Sequence, residues 1–322
     1  GIKIGVSSDG WFANTECFGP VLGLMKVNGI EDALRIQNSG KFGLTGGIQS
    51  LNPKEISKWS NEVRVGNAYI NRSITGAIVR RQPFGGWGHS SFGPGAKAGG
   101  PDYVMNFSSW KVMGQPIHQS KPCKELNDQI EELISNLNLS KSADEMRNAV
   151  GHYLWVYENI FSKTHDPANL LPEVNLLQYK PHQTICYRIE AVEPLTQIFL
   201  SAIGSLLTGI DLDVSVPNNS LTKDQVHSLI QHKTIRVYQE STEELSSRIE
   251  SMKAYERPLI IRYAGQTNLS LHQTANRYHL CIINGKVIEN GRLELRHWFR
   301  EKCISETTHR YGNLLPRFRA SV

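Results

Sequence analysis

No stretch of the 322-residue sequence stays apolar long enough to cross a bilayer. The run 194–210 comes nearest, and Gln197, Ser201, Ser205 and Thr208 interrupt it short of the roughly 20 residues a spanning helix needs. Cysteine is scarce and scattered. Its five copies, at 17, 123, 186, 281 and 303, form no CxxC and no zinc spacing with paired histidines. That excludes a disulfide framework, leaves no metal site to expect, and reads as the reduced thiols of a cytoplasmic protein. Charge never gathers into a basic block. The 35 basic and 30 acidic residues give a net +5 spread along the chain, so small molecules and proteins are expected partners and nucleic acid is not. That low charge, with 39% apolar residues, excludes intrinsic disorder. No charged-then-apolar leader follows Gly1, and the sequence is expected to be a piece of a longer polypeptide.

Glycine, by contrast, is plentiful and uneven: 19 of 27 lie in the first 100 residues, a region dense in turns and close backbone approaches. There an apolar run at 20–27, a helical pattern closed by Gly40, a strand at 44–49, a helix at 53–63 and a strand at 67–71 alternate as β-α-β-α-β. This pattern favours a parallel sheet with right-handed crossovers. Two amphipathic helices, around 126–137 and 143–162, then lead into a proline-bearing loop and are read as a helical connecting segment. Beyond it, short buried strands at 184–189, 211–216, 234–238, 258–263 and 280–283 alternate with helices at 195–207, 224–231, 243–253 and 271–278. A second doubly wound α/β unit accounts for them. The expected fold class is therefore α/β, with segments 1–112, 113–181 and a Rossmann-like 182–322.

Residues with chemical potential compete with plain structural readings. Gly93-Pro94-Gly95-Ala96-Lys97-Ala98 has the G-x-G-x-x-A spacing of a phosphate loop, but it follows a loop and carries proline where a helix should open. Gly40-Lys41 lacks the Ser or Thr of a nucleoside-triphosphate loop, and no glycine fingerprint follows the first strand of the second unit. His165-Asp166-Pro167 reads as a turn rather than a base with its orienting carboxylate. Cys17, beside Glu16 and Phe18, reads as a small packing residue rather than an activated thiol.

Two groups of motifs are more specific. Glu16-Cys17-Phe18-Gly19-Pro20 resembles the Glu-x-Phe-Gly-Pro element of aldehyde dehydrogenases. Gly66-Asn67-Ala68-Tyr69-Ile70-Asn71-Arg72, Thr75-Gly76-Ala77-Ile78-Val79, Gln82-Pro83-Phe84-Gly85-Gly86 and Lys97-Ala98-Gly99-Gly100-Pro101 resemble the branch that oxidises glutamate γ-semialdehyde. Order and spacing agree over about a third of the chain. Farther on, His165-Asp166-Pro167, Asn175, Tyr179-Lys180-Pro181, Gly291-Arg292-Leu293-Glu294-Leu295, Arg300-Glu301 and His309-Arg310-Tyr311-Gly312-Asn313-Leu314 resemble the C-terminal region of long proline utilization A proteins. In that family an FAD-dependent proline dehydrogenase makes pyrroline-5-carboxylate, and an NAD-dependent aldehyde dehydrogenase oxidises the derived semialdehyde to glutamate.

The resemblance implies the C-terminal portion of an aldehyde dehydrogenase catalytic domain followed by a Rossmann-like domain that binds no dinucleotide. It implies that the nucleophilic cysteine and the water-activating glutamate lie upstream of this chain, which alone is then inactive, and that FAD belongs only to an absent proline dehydrogenase domain. Glu16 is implied to hydrogen-bond the nicotinamide ribose of NAD and Phe18 to pack near its ring. Gly76 and Ala77 are implied to hold the substrate α-carboxylate through backbone N–H groups, with Phe84 as an apolar wall. The expected partners are glutamate semialdehyde, the upstream domains of the same enzyme and further copies in a homo-oligomer. The terminal segment 305–314 is implied to act as a lid. Arg80-Arg81, Trp87, His89 and Phe92 depart from the family pattern and put bulk and charge near the expected pocket rim. The rival reading is a non-catalytic oligomerisation or interaction module that retains these motifs.

Overall fold

Apolar strands alternating with amphipathic helices produce two α/β units in the computed structural model, which describes residues 1–91, 93, 95–111, 114, 116–190, 195–253, 258–266, 268–310 and 313–314. The first unit consists of 1–107, 164–178 and 301–322. Its N-terminal part holds β1 (Ile2–Ile4), α1 (Trp11–Asn14), β2 (Leu22–Leu24), α2 (Ile30–Ser39), β3 (Phe42–Gly43), β4 (Thr45–Ile48), α3 (Pro53–Glu62), β5 (Asn67–Ile70) and β6 (Trp87–Gly88). Later stretches add β7 (Thr164–His165), the 173–178 part of β8 (Glu173–Pro181) and, in chain order β14, the 301–307 part of Phe299–Thr307.

The main sheet of this unit runs β4-β5-β14-β8-β7. β4 and β5 pair in parallel across α3, as their alternation implies, and β14 pairs in parallel with β5, Cys303 opposite Asn67 and Glu306 opposite Ile70. The apolar run at 20–27 does not join them: its strand β2 pairs with β1 in a separate parallel ribbon. Leu34, Trp59, Val63, Val65, Ala68, Ile70 and Ile304 form the core between α2, α3 and the sheet. Asn52 starts α3 by accepting the Lys54 N–H, with Pro53 in the first turn, where its missing N–H costs nothing. The far end of α3 is satisfied by the fully buried Lys302, whose Nζ donates to Ser60 O (2.7 Å) and Val63 O (2.8 Å).

The second unit, 108–163 and 179–300, holds α4 (Lys124–Asn136), α5 (Ala143–Val156), β9 (Thr184–Ile189), α6 (Thr196–Thr208), β10 (Asp211–Val216), α7 (Lys223–Ile230), β11 (Ile235–Gln239), α8 (Thr242–Ser251), β12 (Ile260–Ala264), α9 (Leu269–Tyr278), β13 (Cys281–Asn284) and α10 (Gly291–Glu294). Every pairing in the sheet β11-β10-β9-β12-β13 is parallel, so the chain winds outward from β9 and reverses between β9 and β12. This is the doubly wound order expected. Capping boxes at Thr222/Gln225 and Ser241/Glu244 start α7 and α8, and Gly209 at φ +68° ends α6. Among the described residues, no helix is long and apolar enough to cross a membrane.

The consecutive segments 1–112, 113–181 and 182–322 are cut differently by the fold. The helices of the expected connecting segment, α4 and α5, pack on α7, α6 and α10 and so belong to the second unit. The proline-bearing loop contains β8, and the start of the terminal segment, 305–307, is sheet strand next to β5. Residues 311–312 and 315–322 of the tail, with Phe92, Pro94 and Pro194, lie outside the described residues.

Candidate functional site

The five residues expected to bind ligands all fall in the first unit, in two places. Glu16 and Phe18 occupy the loop between α1 and β2, where tight turns, Gly19 N to Cys17 O (2.9 Å) and Val21 N to Gly19 O (2.8 Å), shape the backbone. Both side chains are exposed, Phe18 at 96%. Among the described residues, the Glu16 carboxylate accepts no protein hydrogen bond and makes no ion pair. Cys17 is exposed as well, not the buried packing residue its composition suggested.

Gly76, Ala77 and Phe84 lie on the chain that leaves β5. Gly76 takes φ +104°, a left-handed conformation that glycine tolerates, and its carbonyl accepts the Tyr69 hydroxyl at 2.7 Å. A Cβ built at Gly76 meets nothing closer than Gln82 Oε1 at 3.9 Å, so the space beside the turn is open. The turn is exposed, and among the described residues the N–H groups of Gly76 and Ala77 donate to no protein acceptor. Phe84 is half-buried and pairs with Ala98, N to O at 3.0 Å and O from N at 2.9 Å.

A buried polar cluster holds that pair. Lys97 Nζ donates to Asn67 Oδ1 (3.0 Å) and to Gly85 O, while Asn67 Nδ2 donates to Pro83 O (2.9 Å). The Lys97 N–H donates to Glu301 Oε2 at 2.6 Å. Burial, and after it a hydrogen bond with the buried Asp102, pushes the Glu301 carboxyl up to about 8. Burial likewise lowers the Lys97 amine and pushes the Cys303 thiol up to about 12. Lys97 is therefore fixed by internal partners, and no helix opens after it, which removes the phosphate-loop reading of 93–98.

The departures from the family pattern have structural partners. Arg81 forms a two-point pair with Glu173 of β8, Nη2 to Oε1 at 2.5 Å and Nε to Oε2 at 2.9 Å. The buried Trp87 donates Nε1–H to Glu301 O at 2.9 Å, and His89 packs edge-on against Phe42 at 5.6 Å. Asp166 accepts the Asn169 N–H at 2.9 Å, the turn role expected of it. In the second unit, the Glu294 of the Gly-Arg-Leu-Glu-Leu motif is a buried two-point partner of Arg262, at 2.9 and 2.8 Å. Sequence reasoning did not single out Glu173, Tyr69 or Asp102. The only available signal for the first was Glu173 and Asn175 at i and i+2, one face of a strand.

Residues 2–113 match the aldehyde dehydrogenase family. The match takes in about a third of the chain. Over 111 residues the chain is 40% identical to 1-pyrroline-5-carboxylate dehydrogenase of Staphylococcus aureus (strain JH1), which covers 34% of this chain and 21% of that protein. Over 97% of its length it is similar to proline utilization A of Corynebacterium freiburgense, at 31% identity and a TM-score of 0.76, covering 28% of that chain. The chain thus spans about a fifth of the curated relative and about a quarter of the solved one. Glu16, Phe18, Gly76, Ala77 and Phe84 all lie within the segment that matches the aldehyde dehydrogenase family, while the likeness to proline utilization A extends across the second unit.

Proposed function

We propose that this chain belongs to a bifunctional proline-catabolic enzyme and positions NAD and glutamate γ-semialdehyde for oxidation to glutamate. The observation that carries the reading is the Gly76–Ala77 turn: two adjacent N–H groups without a protein acceptor, at an exposed left-handed glycine with open space beside it. Such a pair is a ready receptor for a carboxylate. Tyr69 holds the turn from the carbonyl side, so the amides keep their direction, and Phe84 offers an apolar surface for the methylene chain.

The residues at the other place fit NAD. Glu16 has both carboxylate oxygens available for two ribose hydroxyls, and Phe18 exposes a full aromatic face for the nicotinamide. When bound, NAD supplies the hydride acceptor that aldehyde oxidation needs. The cysteine that attacks the aldehyde lies outside this chain in the proposed enzyme. Burial pushes the thiols of Cys186 and Cys303 up to about 12 and that of Cys281 up to about 11, the opposite of activation, and Cys17 and Cys123 are exposed.

The test is NADH formation by the full-length polypeptide that carries this chain, supplied with pyrroline-5-carboxylate. Turnover by the wild type, lowered ~10- to 100-fold in Glu16→Ala through misplacement of the nicotinamide, supports the reading. A wild type that forms no NADH, or a Glu16→Ala variant as fast as the wild type, refutes it. The chain by itself is expected to form none.

A further inference from the structure

The segment 72–82 leaves β5, makes the Gly76–Ala77 turn and returns, and both of its ends converge on one carboxylate. Arg81 grips Glu173 at 2.5 and 2.9 Å. From the other end Arg72 Nη1 lies 3.6 Å from Glu173 Oε2. The neighbouring Gln82 reaches the same oxygen at 3.4 Å and Asn175 Oδ1 at 3.2 Å, and Asn175 Nδ2 closes the set by donating to Glu173 Oε2 at 3.2 Å. Gln82 and Asn175 are each 2% exposed, so these bonds act where water competes weakly.

The middle of the segment is held by the same strand system. Tyr69 carries the Gly76 carbonyl on its hydroxyl and the Arg72 guanidinium over its ring, 5.8 Å from the centroid. Ile78 and Gln82 bond each other in both directions, at 2.6 and 3.3 Å. Arg72 Nε and Nη1 are buried without a hydrogen-bond partner, so Arg72 meets Glu173 as an ion pair at 3.6 Å rather than through a hydrogen bond.

We infer that Glu173, with Asn175, is a positioning residue: it clamps both ends of 72–82 and so aims the Gly76 and Ala77 amides at a substrate carboxylate, which makes it a determinant of specificity for an aldehyde bearing that group. The specificity role rests on the proposed reading of the turn. The clamp itself rests only on the contacts above.

The experiment uses the full-length polypeptide and two readouts. Amide hydrogen exchange at Ile78, Arg81 and Gln82, whose N–H groups close the return of the segment, is expected to quicken ~10-fold or more in Glu173→Gln, with exchange in β4 unaffected. The ratio of kcat/KM for glutamate semialdehyde to that for pentanal, which lacks the carboxylate, is expected to fall ~10-fold, mainly through KM. Arg81→Gln removes the partially exposed end of the pair and should act in the same direction even if Glu173 variants fold poorly. The exchanged pair Arg81→Glu with Glu173→Arg should recover part of the ratio. Unchanged exchange at Ile78 and Gln82 in both Glu173→Gln and Arg81→Gln overturns the clamp. Faster exchange with an unchanged ratio overturns the specificity role, and a wild type without preference for the semialdehyde overturns it together with the proposed reading of the turn while leaving the exchange result to decide the clamp.

Discussion

Glu301 accepts the backbone N–H of Lys97 at 2.6 Å, so a residue of β14 fixes the strand pair that carries Phe84, more than two hundred positions earlier in the sequence. The carboxyl sits beside the buried Asp102, Lys97 and Cys303, and burial with the Asp102 bond raises it from 4.5 to about 8. The folded protein therefore keeps a proton that the unfolded chain releases. The resulting stability is fully present below about pH 4.5 and is lost as pH rises through about 8. Urea midpoints measured across this range should fall with rising pH. Glu301→Gln, which mimics the protonated carboxyl, should flatten that slope; an equally steep slope in the variant contradicts the assignment.

Lys302 is the next residue of the same strand and makes a separate prediction. Its ammonium supplies the only bonds found among the described residues for the carbonyls of the half-buried Ser60 and the buried Val63 at the end of α3. Lys302→Met keeps most of the volume and strands both acceptors, at a cost of about 2–4 kcal/mol. Arginine should not rescue it, because a planar fork does not converge on two carbonyls as a compact ammonium does. Urea unfolding of the two variants checks both statements.

The Arg262–Glu294 pair makes a third. Both partners are nearly fully buried, and Arg262 also donates to Ile283 O (3.0 Å) and Lys286 O (3.1 Å). Glu294→Gln leaves a cation without its counter-charge and should destabilise by about 3–5 kcal/mol. Adding Arg262→Met should recover only part of this, since two carbonyls then lose their donor. A double-mutant cycle in denaturant measures the coupling, and additive effects would show the two residues to be independent.

How much of this was legible follows the physics of each element. β9, β10 and the helices between β9 and β13 announce themselves because parallel strands buried on both faces read as short apolar runs between amphipathic stretches. β14 conceals itself: three consecutive charged residues, Arg300-Glu301-Lys302, lack the alternation of a half-buried strand, and only the fold shows that Glu301 and Lys302 are buried with partners. β8 alternates Asn175, Leu177 and Tyr179 inward, but Pro172 and Pro181 at its borders suggest a loop. Arg81 looked like charge at a pocket rim because its partner lies 92 positions away, a separation that no local pattern encodes. Glu16, Phe18, Gly76, Ala77 and Phe84 were singled out only through the resemblance of their motifs, whereas the Tyr69 bond that holds the turn and the contacts of Glu173 carry no such mark.

The turn itself supports the last prediction. At φ +104° an L-residue is strained whatever the room around it, and at Gly76 the room is open, so Gly76→Ala tests conformation rather than bulk. The substitution should push the backbone away from this φ, rotate the 76 and 77 amides and weaken the Tyr69 bond to the Gly76 carbonyl. Global stability should drop by only about 1 kcal/mol, since the turn is exposed. In the full-length polypeptide KM for the semialdehyde should rise ~10-fold, and kcat should fall less, because amides that grip a remote carboxylate act in ground and transition states alike. A variant that unfolds like the wild type and keeps its KM would show that these two N–H groups do not hold the substrate.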